Sequence, residues 1–158
     1  MRSLFRSLKP AKSRLGTTVV EVAVTLPVFG LIMVGLMECG HAMMVVHTLN
    51  SAARQAARYG STEAITTAQT TSRATSIIQN TVGVAPTVLV KDGSIFDTTN
   101  VSPESIDYTT LPNIELNTTK SDKLFIVRLS VPYDSAAILP PFWIKGVTLT
   151  GQAVMRHE

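Results

Sequence analysis

The chain has 158 residues, which allows one domain, or one domain plus a membrane anchor. Its formal charge of +3 is unevenly spread: Arg2, Arg6, Lys9, Lys12 and Arg14 lie within residues 1–16 without an acid, and from Thr17 onward nine Lys/Arg face eleven Asp/Glu. A nucleic-acid-binding face needs clustered cations on a folded surface, so that class is set aside, and the single Cys39 excludes an intramolecular disulfide framework. His41, His47 and His157 show no metal-ligand spacing, and the expectation is neither metal nor other cofactor. They read instead as a membrane-interface residue, a helix surface position and a frayed terminus.

Residues 1–16 read as a basic leader that suits a cytoplasmic flank. From Thr17 to Met37 the chain is apolar, with polar side chains only at Thr17, Thr18, Glu21 and Thr25. As a helix this run spans roughly 30 Å, the thickness of a bilayer's hydrocarbon core. Glu38 and His41 mark the far interface. The expected organisation is a leader at 1–16, a transmembrane helix at 17–40 and an exterior domain at 41–158. That places the protein in the inner (cytoplasmic) membrane as a single-pass chain, with the leader cytoplasmic and the C-terminal domain outside.

Four processing schemes compete for this run. A secretory signal peptide would be cut at Gly40-His41-Ala42, but the run is too long and helical periodicity continues through that point. A lipoprotein signal would use Cys39, yet Glu38 stands where a small residue is required. A plain signal anchor explains length and flank charge but not Glu21. A prepilin-type signal, cut before the apolar run, leaves the helix attached. Glu21 bears on the last two: an acid at a membrane centre costs roughly 2.5–3.5 kcal/mol, less toward the interface. A structural role is available, because Thr18-x-x-Glu21 has capping-box spacing and an acid in a first turn complements the helix dipole.

Leu15-Gly16-Thr17-Thr18-Val19-Val20-Glu21 resembles the type IV prepilin processing pattern of glycine, then glutamate five residues on, then a hydrophobic helix. The longer series GTTVVEVAVTLPVF, Glu38-Cys39-Gly40-His41 and LNSAARQAARYGS is similar to the TadE-like proteins of tight-adherence (Tad/Flp) pilus systems. Val22 stands where that family usually has phenylalanine, and His41 where it usually has arginine. The resemblance implies cleavage between Gly16 and Thr17 by a membrane aspartic prepilin peptidase. It implies that Glu21 then pairs with a neighbouring subunit's free N-terminus, and that Pro27 bends the membrane helix. The implied partners are the membrane, the peptidase, other pilin or pseudopilin subunits and the Tad secretion machinery, with a role in pilus assembly, adhesion or protein secretion.

Beyond the span, Val45, Leu49, Ala52, Ala53, Ala56 and Ala57 fall on one low-volume helix face. Tyr59-Gly60-Ser61 should end that helix, with Ser61 capping a second one over Thr62–Val82. Ala64, Ile65, Ala68, Ile78 and Val82 form its expected apolar face, and Gly83 its stop. Pro86–Val90 reads as a strand, with Asp92-Gly93 as a hairpin signal before Ile95-Phe96. Residues 97–122 read as a surface loop, with at most a short strand at Ile106–Tyr108. Leu124–Val131 is a strand ended by Pro132, and Val147–Met155 another. Between them, Ala136–Ile144 reads equally as an exposed contact site or a buried corner.

VPYD at 131–134 and VTLTGQAVMRHE at the end also resemble TadE-like proteins. The expected fold is α+β, a long N-terminal membrane helix continuing into a small pilin-like domain of helix and antiparallel sheet. Asp134-Ser135 has no histidine in motif context, and no glycine-rich phosphate loop follows a strand, so no enzyme is expected. The triplets Asn100-Val101-Ser102 and Asn117-Thr118-Thr119 fit N-glycosylation but arise readily in a Thr/Ser-rich chain. The competing functional class is a single-pass, membrane-anchored ligand-binding module left uncut at Gly16.

Overall fold

The computed structural model describes residues 15–98 and 102–158; most of the basic leader and the Asn100 triplet's first two residues fall outside these. The elements are α1 (Leu15–Gly60), α2 (Thr67–Val82), β1 (Thr87–Asp92), α3 (Ile95–Thr98), β2 (Leu124–Pro132), α4 (Tyr133–Ala136) and β3 (Thr148–Arg156). The fold is α+β, as expected. Two compact units divide the chain between Leu36 and Met37.

In the first unit, α1 exposes every apolar side chain from Val19 to Leu36. A helix satisfies its own backbone, so a bare Val/Leu/Phe surface suits lipid. Among the described residues, α1 is the one helix long and apolar enough to cross a membrane, with an 18-residue window of mean hydropathy 2.3 that is wholly unburied. This supports a single-pass membrane protein.

In the second unit, three antiparallel strands lie in the order β1-β2-β3, with Val90 opposite Val127 and Val127 opposite Ala153. The central strand β2 buries Phe125, Ile126, Val127, Leu129 and Val131. These join Val45, Leu49, Ala52, Ala53, Ala56 and Ala57 of α1 in one apolar cluster, apart from Ile126. The alanine face expected from the sequence is therefore core. Its low volume lets backbone approach backbone: a Cβ built on Gly151 of β3 would lie 2.5 Å from the Asn50 nitrogen and 2.5 Å from the Leu49 carbonyl carbon. Any side chain there would push β3 off the helix.

Several local expectations are corrected. The second helix begins at Thr67 rather than Thr62. Ser61 donates to the Arg58 carbonyl at 3.0 Å and so closes α1, while Thr66 caps α2 in a reciprocal capping box with Gln69. Ala64 has φ of 65° and, with Ile65, precedes the helix. The face that α2 buries is Thr70, Ala74 and Ile78; Ala68 is exposed and Val82 half-buried. Thr70 can sit in the core because its hydroxyl donates to the Thr66 carbonyl at 3.2 Å. Gly83 ends α2 in the left-handed conformation, as expected.

Asp92-Gly93 makes no hairpin. The Asp92 carboxylate accepts the Ser94 N–H at 2.9 Å, the chain turns into α3, and β1 pairs with the distant β2 instead. Ile106–Tyr108 forms no strand. Tyr108 is buried, its hydroxyl donates to the Pro103 carbonyl at 2.6 Å, and the Arg128 guanidinium lies 4.1 Å from its ring centroid. The surrounding loop is pinned rather than loose, with Ile114 and Leu116 in the core and the Glu115 carboxylate accepting the Thr67 N–H. His157 is not frayed either: it is buried, with its N–H donating to the Lys123 carbonyl at 3.0 Å.

Candidate functional site

Two acids on α1 define the places of interest. Gly16 and Thr17 lie exposed in its first turn. Because α1 already begins at Leu15, Thr18 sits inside the helix and the first turn carries no acid. The capping role considered for Thr18-x-x-Glu21 is thereby overturned: the backbone N–H groups around Glu21 serve the helix. Thr25 donates to the Glu21 backbone carbonyl at 2.9 Å and not to its carboxylate. Among the described residues no cation or donor meets that carboxylate, and the neighbouring side chains Val19, Val20, Val22 and Val24 are exposed and apolar. Pro27 lies inside α1, whose helical backbone continues through it, and its missing N–H deprives the Ala23 carbonyl of a helical donor.

Glu38 is the opposite case. Its carboxylate accepts three consecutive backbone N–H groups: Phe142 at 3.1 Å, Trp143 at 3.1 Å and Ile144 at 2.8 Å. Successive N–H groups converging on an anion form a nest, here filled by a side chain of the same protein. The Tyr133 hydroxyl adds a bond to the Glu38 backbone carbonyl at 3.1 Å, and the Tyr133 ring lies 5.9 Å from His41. Burial, then the nearby Glu38 carboxylate, raise the Tyr133 pKa and keep the phenol neutral as a donor.

The chain between Tyr133 and Val147 is tied at both ends. Tyr133 N–H donates to the Val147 carbonyl at 2.8 Å, and the Asp134 carboxylate accepts the Gly146 N–H at 2.9 Å. Gly146 takes a φ of 75°, a turn conformation that favours glycine. The loop so closed leaves Ile138, Leu139, Phe142 and Trp143 exposed, with the last two rings edge to face at 4.8 Å. Of the two readings left open for Ala136–Ile144, the exposed one holds for its tip; Ala136 is buried and Ile144 packs against the core.

The sequence marked Glu38 only as an interface residue. Its partner loop lies more than a hundred residues on, where no local signal in the sequence links the two. Elsewhere, a cleft of about 710 Å³ is lined by Arg58, Tyr59, Gln69 and Arg73, among others. Among the described residues no three His, Cys, Asp or Glu come together as a metal-binding group.

One lipid-compatible helix among the described residues, followed by a helix-and-sheet unit, supports a single-pass membrane protein of α+β fold. Residues 16–58, α1 from Gly16 to Arg58, match the family model described as TadE-like protein. Over that stretch the resemblance read from the sequence is shown, and it supports a Tad pilus-associated protein. No curated protein and no solved structure matches the chain.

Proposed function

We propose that this protein is a minor pilin or pseudopilin of a Tad-type pilus or secretion system, processed by a prepilin peptidase between Gly16 and Thr17. The observation that carries the reading is Glu21, an acid in a lipid-facing helix whose carboxylate has neither a partner among the described residues nor a capping role, inside the TadE-like segment. An unpaired intramembrane carboxylate is a functional residue by default. Hydrolysis of the Gly16–Thr17 bond would create an α-amine, the cation that such an acid lacks. Pairing it with Glu21 of a neighbouring subunit sets the axial register of one helix against the next, and the mutual charge makes both groups tolerable in apolar surroundings.

Pro27 adds a bend within the span. Cleavage places the mature N-terminus on the cytoplasmic side of the inner membrane and the α+β unit outside. N-terminal sequencing of the membrane-extracted protein tests this: the expected first residue is Thr17, and a functional form retaining Met1–Arg6 would overturn it. The second reading, an uncut membrane-anchored binding module, takes its support from the exposed Ile138–Trp143 tip and predicts indifference to Glu21.

A further inference from the structure

We propose that the loop tip Ile138–Trp143 inserts into the interfacial layer of the bilayer, on the side where α1 emerges, with Glu38 as the residue that positions it. The proposal rests on α1 spanning the membrane, and not on cleavage at Gly16. Glu38 directly follows Met37, the last residue of the apolar run, so it stands where the chain leaves the hydrocarbon. The N–H groups of Phe142, Trp143 and Ile144 are within 3.2 Å of its carboxylate, which holds the loop backbone beside the residue at which the apolar run ends.

The composition of the tip suits an interface and not water. Ile138, Leu139, Phe142 and Trp143 are all more than half exposed, while Pro140 and Pro141 stiffen the backbone that presents them. Among the described residues the indole N–H of Trp143 has no hydrogen-bond partner, and tryptophan is enriched at the headgroup level, where its body is dry and its N–H wet. Lys145, exposed just after the tip, has the reach and sign to meet lipid phosphates. Backbone N–H groups near lipid must be satisfied, and Glu38 satisfies three of them in a row. The occupant is therefore lipid, continuous with the lipid around α1, rather than a separate protein.

Trp143 is the only tryptophan in the chain, so its fluorescence reports this tip alone. The full chain would be reconstituted, without partners, into vesicles of phosphatidylcholine and phosphatidylglycerol. One set of vesicles carries bromine near the carbonyl end of the acyl chain and another near the terminal methyl. Expected are blue-shifted emission, weak quenching by aqueous acrylamide, and quenching by the carbonyl-end bromines about twofold stronger than by the methyl-end ones. Glu38→Ala should free the loop and raise acrylamide quenching about twofold, toward that of an exposed indole. Leu139→Ser with Ile138→Ser should do the same while leaving the Glu38 clamp and the fold intact.

Emission typical of water, indifferent to either bromine, would overturn the proposal and assign the tip to a protein partner. Stronger quenching from the methyl end would overturn the interfacial depth. Alkaline extraction of the same vesicles separates the failures. A chain that resists extraction while Trp143 is aqueous loses only the loop insertion; a chain that washes off loses the membrane span, and the pilin reading with it.

Discussion

The two acids of α1 stand on either side of the division between the units, and their surroundings are opposite. Glu38 is saturated from within its own chain by three N–H groups of the Phe142–Ile144 segment. The Glu21 carboxylate meets no donor or cation among the described residues. Burial follows the same division: residues 16–36 turn their apolar side chains outward, whereas Val45, Leu49, Ala52, Ala53, Ala56 and Ala57 turn theirs into a core at 0% exposure. A polar group that is satisfied internally needs no partner molecule, and one that is not asks for one. The upper half of the helix is a finished protein interior, and the lower half is a surface made to be covered.

Breaking the lower half should have the largest effects. Gly16→Leu is expected to leave full-length precursor as the sole species on intact-mass measurement of membrane extracts. Glu21→Ala should cut incorporation into assemblies by about a hundredfold, the scale on which breaking a desolvated ion pair acts, as counted by quantitative mass spectrometry of sheared material. The same variant should leave unfolding of the 37–158 unit within about 0.5 kcal/mol of the parent by urea titration, since Glu21 belongs to the other unit. An equal loss of stability and assembly would erase the contrast between the two acids.

Breaking the upper half should act on stability instead. Gly151→Val should destabilise the globular unit by about 3 kcal/mol in urea unfolding, because its Cβ has no space against Leu49 and Asn50. Glu38→Ala should bring amide exchange at Phe142, Trp143 and Ile144 to the rate of an unprotected loop, with β2 and β3 unchanged. The smallest effect concerns Asp92. Burial works to raise its carboxyl, but the Lys123 ammonium at 2.7 Å and the Ser94 N–H outweigh that and hold its pKa below the usual value. A depressed folded pKa gives stability that is present above about pH 4 and lost as pH falls through the folded value. With Lys123 half exposed the pair is worth about 0.5–1 kcal/mol, so Asp92→Asn should flatten the acid limb of the unfolding curve by that amount.

How far the sequence went follows from how local each signal was. α1 was expected to run from the span at 17–40 on to a stop at Tyr59-Gly60-Ser61 and is found over Leu15–Gly60, because a long apolar run followed by a regular alanine face leaves no competing conformation. β2 and β3 showed through their alternation. The start of α2 did not, since its buried face holds Thr70 where apolar residues were sought, and Thr66 competed with Ser61 as a cap. The Asp92-Gly93 hairpin failed because the partner of β1 lies in β2, beyond a loop that Tyr108, Ile114 and Leu116 pin to the core. Glu21 was legible by its strangeness alone; Glu38 looked ordinary because its explanation is supplied by the Phe142–Ile144 segment.

The central claim, that Glu21 waits for the N-terminus of another subunit, is open to a zero-length cross-link. A hydrophobic carbodiimide would be added to assembled material and the joined peptides mapped by mass spectrometry. The account predicts an intermolecular amide between the Thr17 α-amine and the Glu21 side chain, formed with loss of water and absent in Glu21→Gln. Assemblies that begin at Thr17 but give no such link, or that join Glu21 elsewhere, would contradict it.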